Sequence, residues 1–412
     1  MRVPRVAYFP DSFHEVNGVA HTSRNFAAYA QRQGLPFLCV RASAGGGTDN
    51  RPIVRTRQQE QWTLELQRSP LAVRMEKDLW FDPLFWRYAA EIERELHSFE
   101  PDVIHVTGPS ELGIFGAYFA WKQKRKLAAS WHTNLHEYAA RRLQWLSRMM
   151  SLEAAAKLEM GVEAGALKTI VWFYHLAGTL YAPNEELCAM LEGSTGKPCH
   201  LMQRGVDTVL FRPSRRTRWE DGRLVLGYVG RLSIEKNVAL LVRLERELHA
   251  LGVHDAQFLI VGHGNEEEML RRELRNAKFA GVLRGEALAA AYANMDVLVF
   301  PSHTDTFGNV VLEALASGVP AVVTPDGGPK FIVREGETGF VAPDDGFALV
   351  VASLARDRVR LRRMREAARA YAMGCSWDAV FQRVYAGYSI AEESASVASL
   401  ETAQAARGFS SD

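Results

Sequence analysis

Short apolar runs bounded by turn residues alternate along this chain with longer stretches whose apolar residues recur every three or four positions, and the alternation restarts in mid-chain. The short runs read as buried strands and the longer ones as covering helices. Strands are predicted at 5–9, 37–40, 103–106 and 127–130, with a helix from about Ala20 to Arg32. A second series is predicted at 224–229, 257–261, 297–300 and 321–323. Strands that alternate with helices form parallel sheets with both faces covered. The fold class is therefore α/β, with two doubly wound Rossmann-like domains, each having its own first strand. The link between them is placed around Pro198 to Arg218. Residues 1–200 form the first domain and 201–375 the second. In 376–393, Trp377, Phe381, Val384, Tyr385 and Tyr388 give one apolar stripe at helical spacing. The Ser/Ala-rich stretch 394–412 is expected to be a disordered tail.

The length of 412 residues favours two domains over one core. A formal net charge of +1 argues against a general nucleic-acid binder. The four cysteines, Cys39, Cys188, Cys199 and Cys375, have neither zinc-site nor disulfide-framework spacing, so a reducing cytoplasm is the simpler expectation. No apolar run at the amino end suits a signal peptide, and none elsewhere reaches the roughly 18 residues of a membrane span. Any membrane contact is expected to be peripheral, on the inner face.

Candidate chemistry concentrates after the 297–300 strand. The run Val310 to Ala316 is apolar nearly all round yet carries Glu313, with no basic residue within a turn, so a polar partner must come from elsewhere. The loop before it offers Asp305 as a cap, and Phe307, Gly308 and Asn309 as backbone donors to an anion at the positive end of the helix. Arg231 and Lys236 follow the 224–229 strand at its carboxyl end, the ligand edge of an open α/β sheet, and both can reach one diphosphate. A solvated loop paired through Glu235 explains these cations equally well. Gly18 lies between a strand and a helix, where a missing side chain lets a phosphate approach. His132 ends the 127–131 run.

These words and their order resemble the retaining nucleotide-sugar glycosyltransferases of the GT-B fold, the GT4 group, whose two domains face a central cleft. The match rests on Asn17-Gly18-Val19, His132-Thr133-Asn134, Gly205-Val206-Asp207, Gly230-Arg231 with Lys236, Val261-Gly262-His263-Gly264, Asp305 with Glu313, and Gly327-Gly328-Pro329. In that family the first acid is usually Glu; here it is Asp305. The resemblance implies that Asp305 bonds donor-sugar hydroxyls, Glu313 binds the ribose diol, and Arg231 and Lys236 stabilise the departing diphosphate. His132 orients the sugar or an acceptor hydroxyl, and Gly262 and the 279–283 segment flank the nucleobase. Segment 376–393 is expected to cross back to the first domain, with Trp377 and Tyr388 buried there. No metal and no cofactor are expected beyond the GDP- or UDP-linked co-substrate.

From Trp121 to Met160 there are eight Lys/Arg against three Glu, interleaved with tryptophans. Lys122, Lys124, Arg125, Lys126, Arg141 and Arg142 are candidates for an acceptor or membrane side. A solvated helix face explains them equally, and a lipid-linked acceptor is the option that gives them a role. The reading is a hexosyltransferase acting on a hydroxyl acceptor, with mannose from GDP-mannose as the favoured donor. A UDP-sugar-dependent glucosyl or sulfoquinovosyl transferase, a sugar-nucleotide 2-epimerase and a non-catalytic sugar-nucleotide binder stay open.

Overall fold

The computed structural model describes residues 3–15, 18–43, 52–76, 79–132, 165, 168–217, 223–305 and 307–388. These residues form two units, 1–203 with 380 onward, and 204–379.

In the first unit an eight-stranded sheet is built from β1 (Val6–Phe9), β2 (Phe37–Ala42), β3 (Ile53–Gln58), β4 (Gln61–Leu66), β7 (Val103–Val106), β8 (Lys126–Ser130), β9 (Thr179–Ala182) and β10 (Cys199–Leu201). A separate two-stranded ribbon holds β5 (Val73–Glu76) and β6 (Leu79–Phe81). The sheet order is β10-β9-β8-β7-β1-β2-β4-β3, parallel except where β3 returns antiparallel along β4. Strands β1 and β7 are buried end to end because helices cover both faces, as their unbroken apolar runs require. The edge pair β3–β4 carries no such run. Its Arg55 and Arg57 lie on exposed positions and reach Glu91 and Glu95 of helix α2 (Ala89–Phe99).

The second unit holds a fully parallel six-stranded sheet. Its strands are β11 (Leu224–Val229), β12 (Ala256–Val261), β13 (Ala277–Gly281), β14 (Val297–Phe300), β15 (Ala321–Val323) and β16 (Gly339–Val341). The order β13-β12-β11-β14-β15-β16 reverses direction between β11 and β14. In such sheets the crevice for a ligand opens at the carboxyl ends of the two strands flanking the reversal.

A helix over 377–388 begins in the second unit and ends in the first. Phe381 stacks on Phe26 of α1 (Gly18–Arg32) with ring centroids 4.5 Å apart, and Tyr388 packs edge-on to Tyr181. Trp377 departs from expectation. It lies in the second unit against Gly205, where a Cβ would stand 2.5 Å from the indole, so the glycine at 205 makes room for it. The apolar stripe is thus divided between units rather than spent wholly on the first. The 394–412 stretch lies outside the described residues.

Candidate active site

Both strands at the reversal point deliver candidate residues. From the end of β11 the chain runs through Gly230 and Arg231 into a single 3-10 turn, Ile234–Lys236. The Tyr228 hydroxyl donates to the Arg231 carbonyl at 2.8 Å and fixes the start of this loop. From the end of β14 the chain runs through Asp305 to the helix Asn309–Ala316. Lys236 Nζ lies 2.9 Å from Asp305 Oδ2, so the two loops meet through opposite charges. Asp305 Oδ2 is buried, and among the described residues no group gives it an aligned hydrogen bond. Its contact with Lys236 is an ion pair that leaves accepting capacity for a ligand hydroxyl. Arg231 instead pairs with Glu235 at 3.5 Å, and its side chain is 70% exposed. The expected pairing through Glu235 therefore holds for one cation and not the other.

Glu313 finds its polar partner 21 residues back in sequence. The Tyr292 hydroxyl, from the helix Gly285–Ala293, donates to Glu313 Oε2 at 2.8 Å. Burial pushes the Glu313 carboxyl up to about 7, and the Tyr292 bond pulls the other way. Arg369 holds the far end of the Asn309–Ala316 helix, which carries Glu313, by donating to the Ala316 carbonyl at 2.7 Å, where a cation complements the negative helix end.

Gly308 sits before the helix at φ 89°, and a Cβ there would stand 2.9 Å from Pro329. Gly327 and Gly328 lie against the same loop, and Gly328 N–H donates to the Asp305 carbonyl at 2.7 Å. Phe307 is buried with the Arg204 guanidinium over its ring at 5.6 Å, and Asn309 opens the helix. Thr306 lies outside the described residues. Gly262 belongs to a loop-to-loop contact. At φ 138° its missing Cβ would fall 1.8 Å from the Gly230 carbonyl oxygen, and Leu232 N–H donates to the His263 carbonyl at 3.1 Å. The glycine is required by that packing before any ligand is considered. The 279–283 segment opens as the end of the edge strand β13.

A further cluster braces these loops. His303 Nδ1 lies 2.7 Å from Asp326 Oδ2, and its Nε2 lies 3.1 Å from Asp344 Oδ1 and 3.2 Å from Asn237 Nδ2. The loops after β11, β14, β15 and β16 are thereby tied side chain to side chain. Neither this cluster nor Tyr292 has a local sequence signal, because each partner comes from a different strand-loop unit.

In the first unit Gly18 opens α1, after the β1 loop, and Asn17 lies outside the described residues. His132 follows β8 at its carboxyl end, and Ser130 Oγ is 2.7 Å from its Nε2. Asp11, missed in the sequence, lies where this sheet also reverses, between β1 and β7. Its carboxylate accepts from Ser110 Oγ at 2.5 Å, and burial raises its pKa to about 6.

Lys122, Lys124, Arg125 and Lys126 cluster where helix α3 (Glu111–Lys122) ends and β8 begins, so the length of β8 separates them from His132. Lys122 pairs with Glu93 at 2.7 Å. What adjoins them is a stripe on α3 formed by Ile114, Tyr118 and Trp121, which are 55%, 46% and 77% exposed. Arg141, Arg142, Thr133 and Asn134 lie outside the described residues.

Two parallel-sheet α/β units, with a cation–acid pair and a buried acid at the reversal point of the second, define a GT-B glycosyltransferase architecture. The chain matches the family model described as Glycosyltransferase Family 4 over residues 16–210 and that of Glycosyl transferases group 1 over 223–357. It is 34% identical over 303 residues to a GDP-mannose-dependent alpha-mannosyltransferase of Mycolicibacterium smegmatis, covering 71% of this chain and 74% of that one. To the protein of the same name from Mycobacterium tuberculosis it is 30% identical over 403 residues, covering 93% and 96%. In structure it resembles a sucrose-phosphate synthase from Thermosynechococcus elongatus, with a TM-score of 0.64 at 18% identity over 95% of this chain and all of that one. The chain belongs to the GT4 group of nucleotide-sugar glycosyltransferases, and it is a hexosyltransferase.

Proposed function

We propose that this protein transfers mannose from GDP-mannose to a hydroxyl acceptor with retained anomeric configuration and without a metal ion. The observation that carries the reading is the Lys236–Asp305 pair at the sheet reversal. Mannose and guanosine are favoured because the relatives matched over most of their length bear that donor in their names. Asp305 takes sugar hydroxyls on its unfilled acceptor oxygen, and Glu313 takes the ribose diol. Lys236, with Arg231 swung from Glu235, faces the charge that grows on the departing diphosphate, which is where a fixed cation lowers the barrier most. The departing phosphate accepts the acceptor proton on the face from which it leaves, so the configuration is kept. Two side-chain cations give the diphosphate the countercharge that a divalent ion would otherwise supply.

A lipid or lipid-linked acceptor at the inner membrane face is supported by the Ile114, Tyr118 and Trp121 stripe beside Lys122 and Lys124. Each basic residue near an anionic bilayer contributes about 1 kcal/mol of attraction. Among the described residues no helix is long and apolar enough to cross a membrane.

The test is a thermal-shift screen with GDP, UDP, ADP and their sugars, followed by donor turnover with and without EDTA. GDP-mannose should raise the midpoint most, and EDTA should leave turnover unchanged. A larger shift with UDP-sugars moves the assignment to a UDP-dependent transferase. Accumulation of an epimeric sugar, or binding without turnover, rejects transfer. Loss of activity on EDTA restored by Mg²⁺ rejects metal independence.

A further inference from the structure

His132 is the end of a hydrogen-bonded chain that runs through the core of the first unit. Ser130 Oγ lies 2.7 Å from His132 Nε2 and 2.8 Å from His105 Nε2, and His105 Nδ1 is hydrogen-bonded to the Tyr388 hydroxyl. Ser130 and His105 are fully buried, and Tyr388 is 1% exposed. Burial keeps His105 neutral, with its pKa near 3, and raises Tyr388 far above the ordinary phenol range. His105 and Tyr388 therefore each carry a single proton to place.

The direction of the chain follows from where those protons can go. A buried hydroxyl hydrogen without an acceptor costs about 1–3 kcal/mol. Neighbouring hydroxyls have their hydrogens committed elsewhere. Tyr181 donates to the Val384 carbonyl at 2.9 Å, and Ser23 donates to the Val19 carbonyl, which leaves Tyr8 to donate to Ser23. For Tyr388 the described hydrogen-bond partner is His105, so its O–H donates to His105 Nδ1. His105 then bears its proton on Nε2 and donates to Ser130 Oγ, and Ser130 donates to His132 Nε2. Reversing the chain would put a proton on both His132 Nε2 and His105 Nδ1, and strand the Tyr388 hydrogen against the latter.

We infer that Tyr388, His105 and Ser130 are positioning residues that hold His132 as the Nδ1–H tautomer, with Nε2 as a filled acceptor. His132 thus presents a fixed donor, suited to an oxygen of the sugar or of the acceptor, and not a free base. That last step rests on the glycosyltransferase reading; the tautomer does not. The chain also gives the helix over 377–388 a part in the site, because Tyr388 is contributed by that helix.

The test is ¹⁵N-histidine NMR of the full chain, with His132 assigned by its loss in H132Q. The wild type should show a protonated Nδ1 and an unprotonated Nε2. Tyr388→Phe and Ser130→Ala should each shift His132 towards Nε2–H or a mixture of tautomers, while thermal midpoints confirm folding. With GDP-mannose as donor, both variants should lower kcat by about tenfold and leave the donor KM nearly unchanged, the range expected for one mis-set hydrogen bond. A wild-type Nε2–H, or an unchanged pattern in a folded Ser130→Ala, overturns the inference. Absence of wild-type turnover would reject the transfer reading, and the NMR result would still decide the tautomer. Should Tyr388→Phe fail to fold, Ser130→Ala alone decides it.

Discussion

At Glu313 the fold keeps a carboxyl group whose ionisation it opposes, since burial raises its pKa from the ordinary 4.5 to about 7. A carboxyl raised on folding gives stability that is full below pH 4.5 and is lost as the pH climbs from there through about 7. Glu313→Gln should therefore raise the unfolding free energy at pH 8, by an amount on the order of 2 kcal/mol after allowing for partial exposure. The advantage should vanish below pH 4.5. The same variant should weaken donor binding, because a neutral amide loses the charge-assisted bonds to ribose hydroxyls. Donor binding to the wild type should also release a proton at pH 6.5, which calorimetry in two buffers of different ionisation enthalpy would detect; equal apparent enthalpies would contradict it. The two cations should behave unequally. Lys236→Ala removes the half-buried partner of Asp305 and should cut kcat/KM by roughly 10²–10³ with a measurable loss of stability. Arg231→Ala, at an exposed position, should cost turnover with almost no change in the urea midpoint.

The loops that carry these side chains are set by backbone contacts between elements. Gly262→Ala places a Cβ 1.8 Å from a carbonyl oxygen of the neighbouring loop, and Gly252→Ala, at φ 80°, meets nothing within 4 Å. The first should lose about 3 kcal/mol or more in urea unfolding and the second about 1, the cost of the left-handed backbone alone. Equal losses would show that the loop contact contributes nothing. This scale also separates what could be read in the sequence. Strands β1, β7, β11 and β14 were legible because burial on both faces demands unbroken apolar runs. The β3–β4 pair was not, because its outward arginines are satisfied by α2, an interaction no local pattern records. Asp305 and Glu313 were legible as a motif spaced by one loop and one helix. Tyr292, Asp11 and the His303 cluster were not, because parallel strands bring their partners together from distant stretches of chain.

The helix over 377–388 sets the behaviour of the whole molecule. Phe381, Tyr385 and Tyr388 are buried in the first unit, against Phe26 and Tyr181 among others. Removing residues from 376 onward should expose that core, leaving the first unit open to proteolysis and the enzyme inactive, whereas removal from 397 onward should change neither. An active protein truncated at 376 would refute this. The same helix has a consequence for synthesis. Residues 204–379, the entire second unit, are synthesised before the last piece of the first unit. The half begun first must be finished last, so for much of translation its unpaired Phe26 and Tyr181 face a helix not yet made. Nascent chains that end at residue 379 and are held on the ribosome by a linker long enough to clear the exit tunnel should therefore show a protease-resistant second unit beside a first unit that still recruits chaperones, the reverse of amino-terminal-first folding.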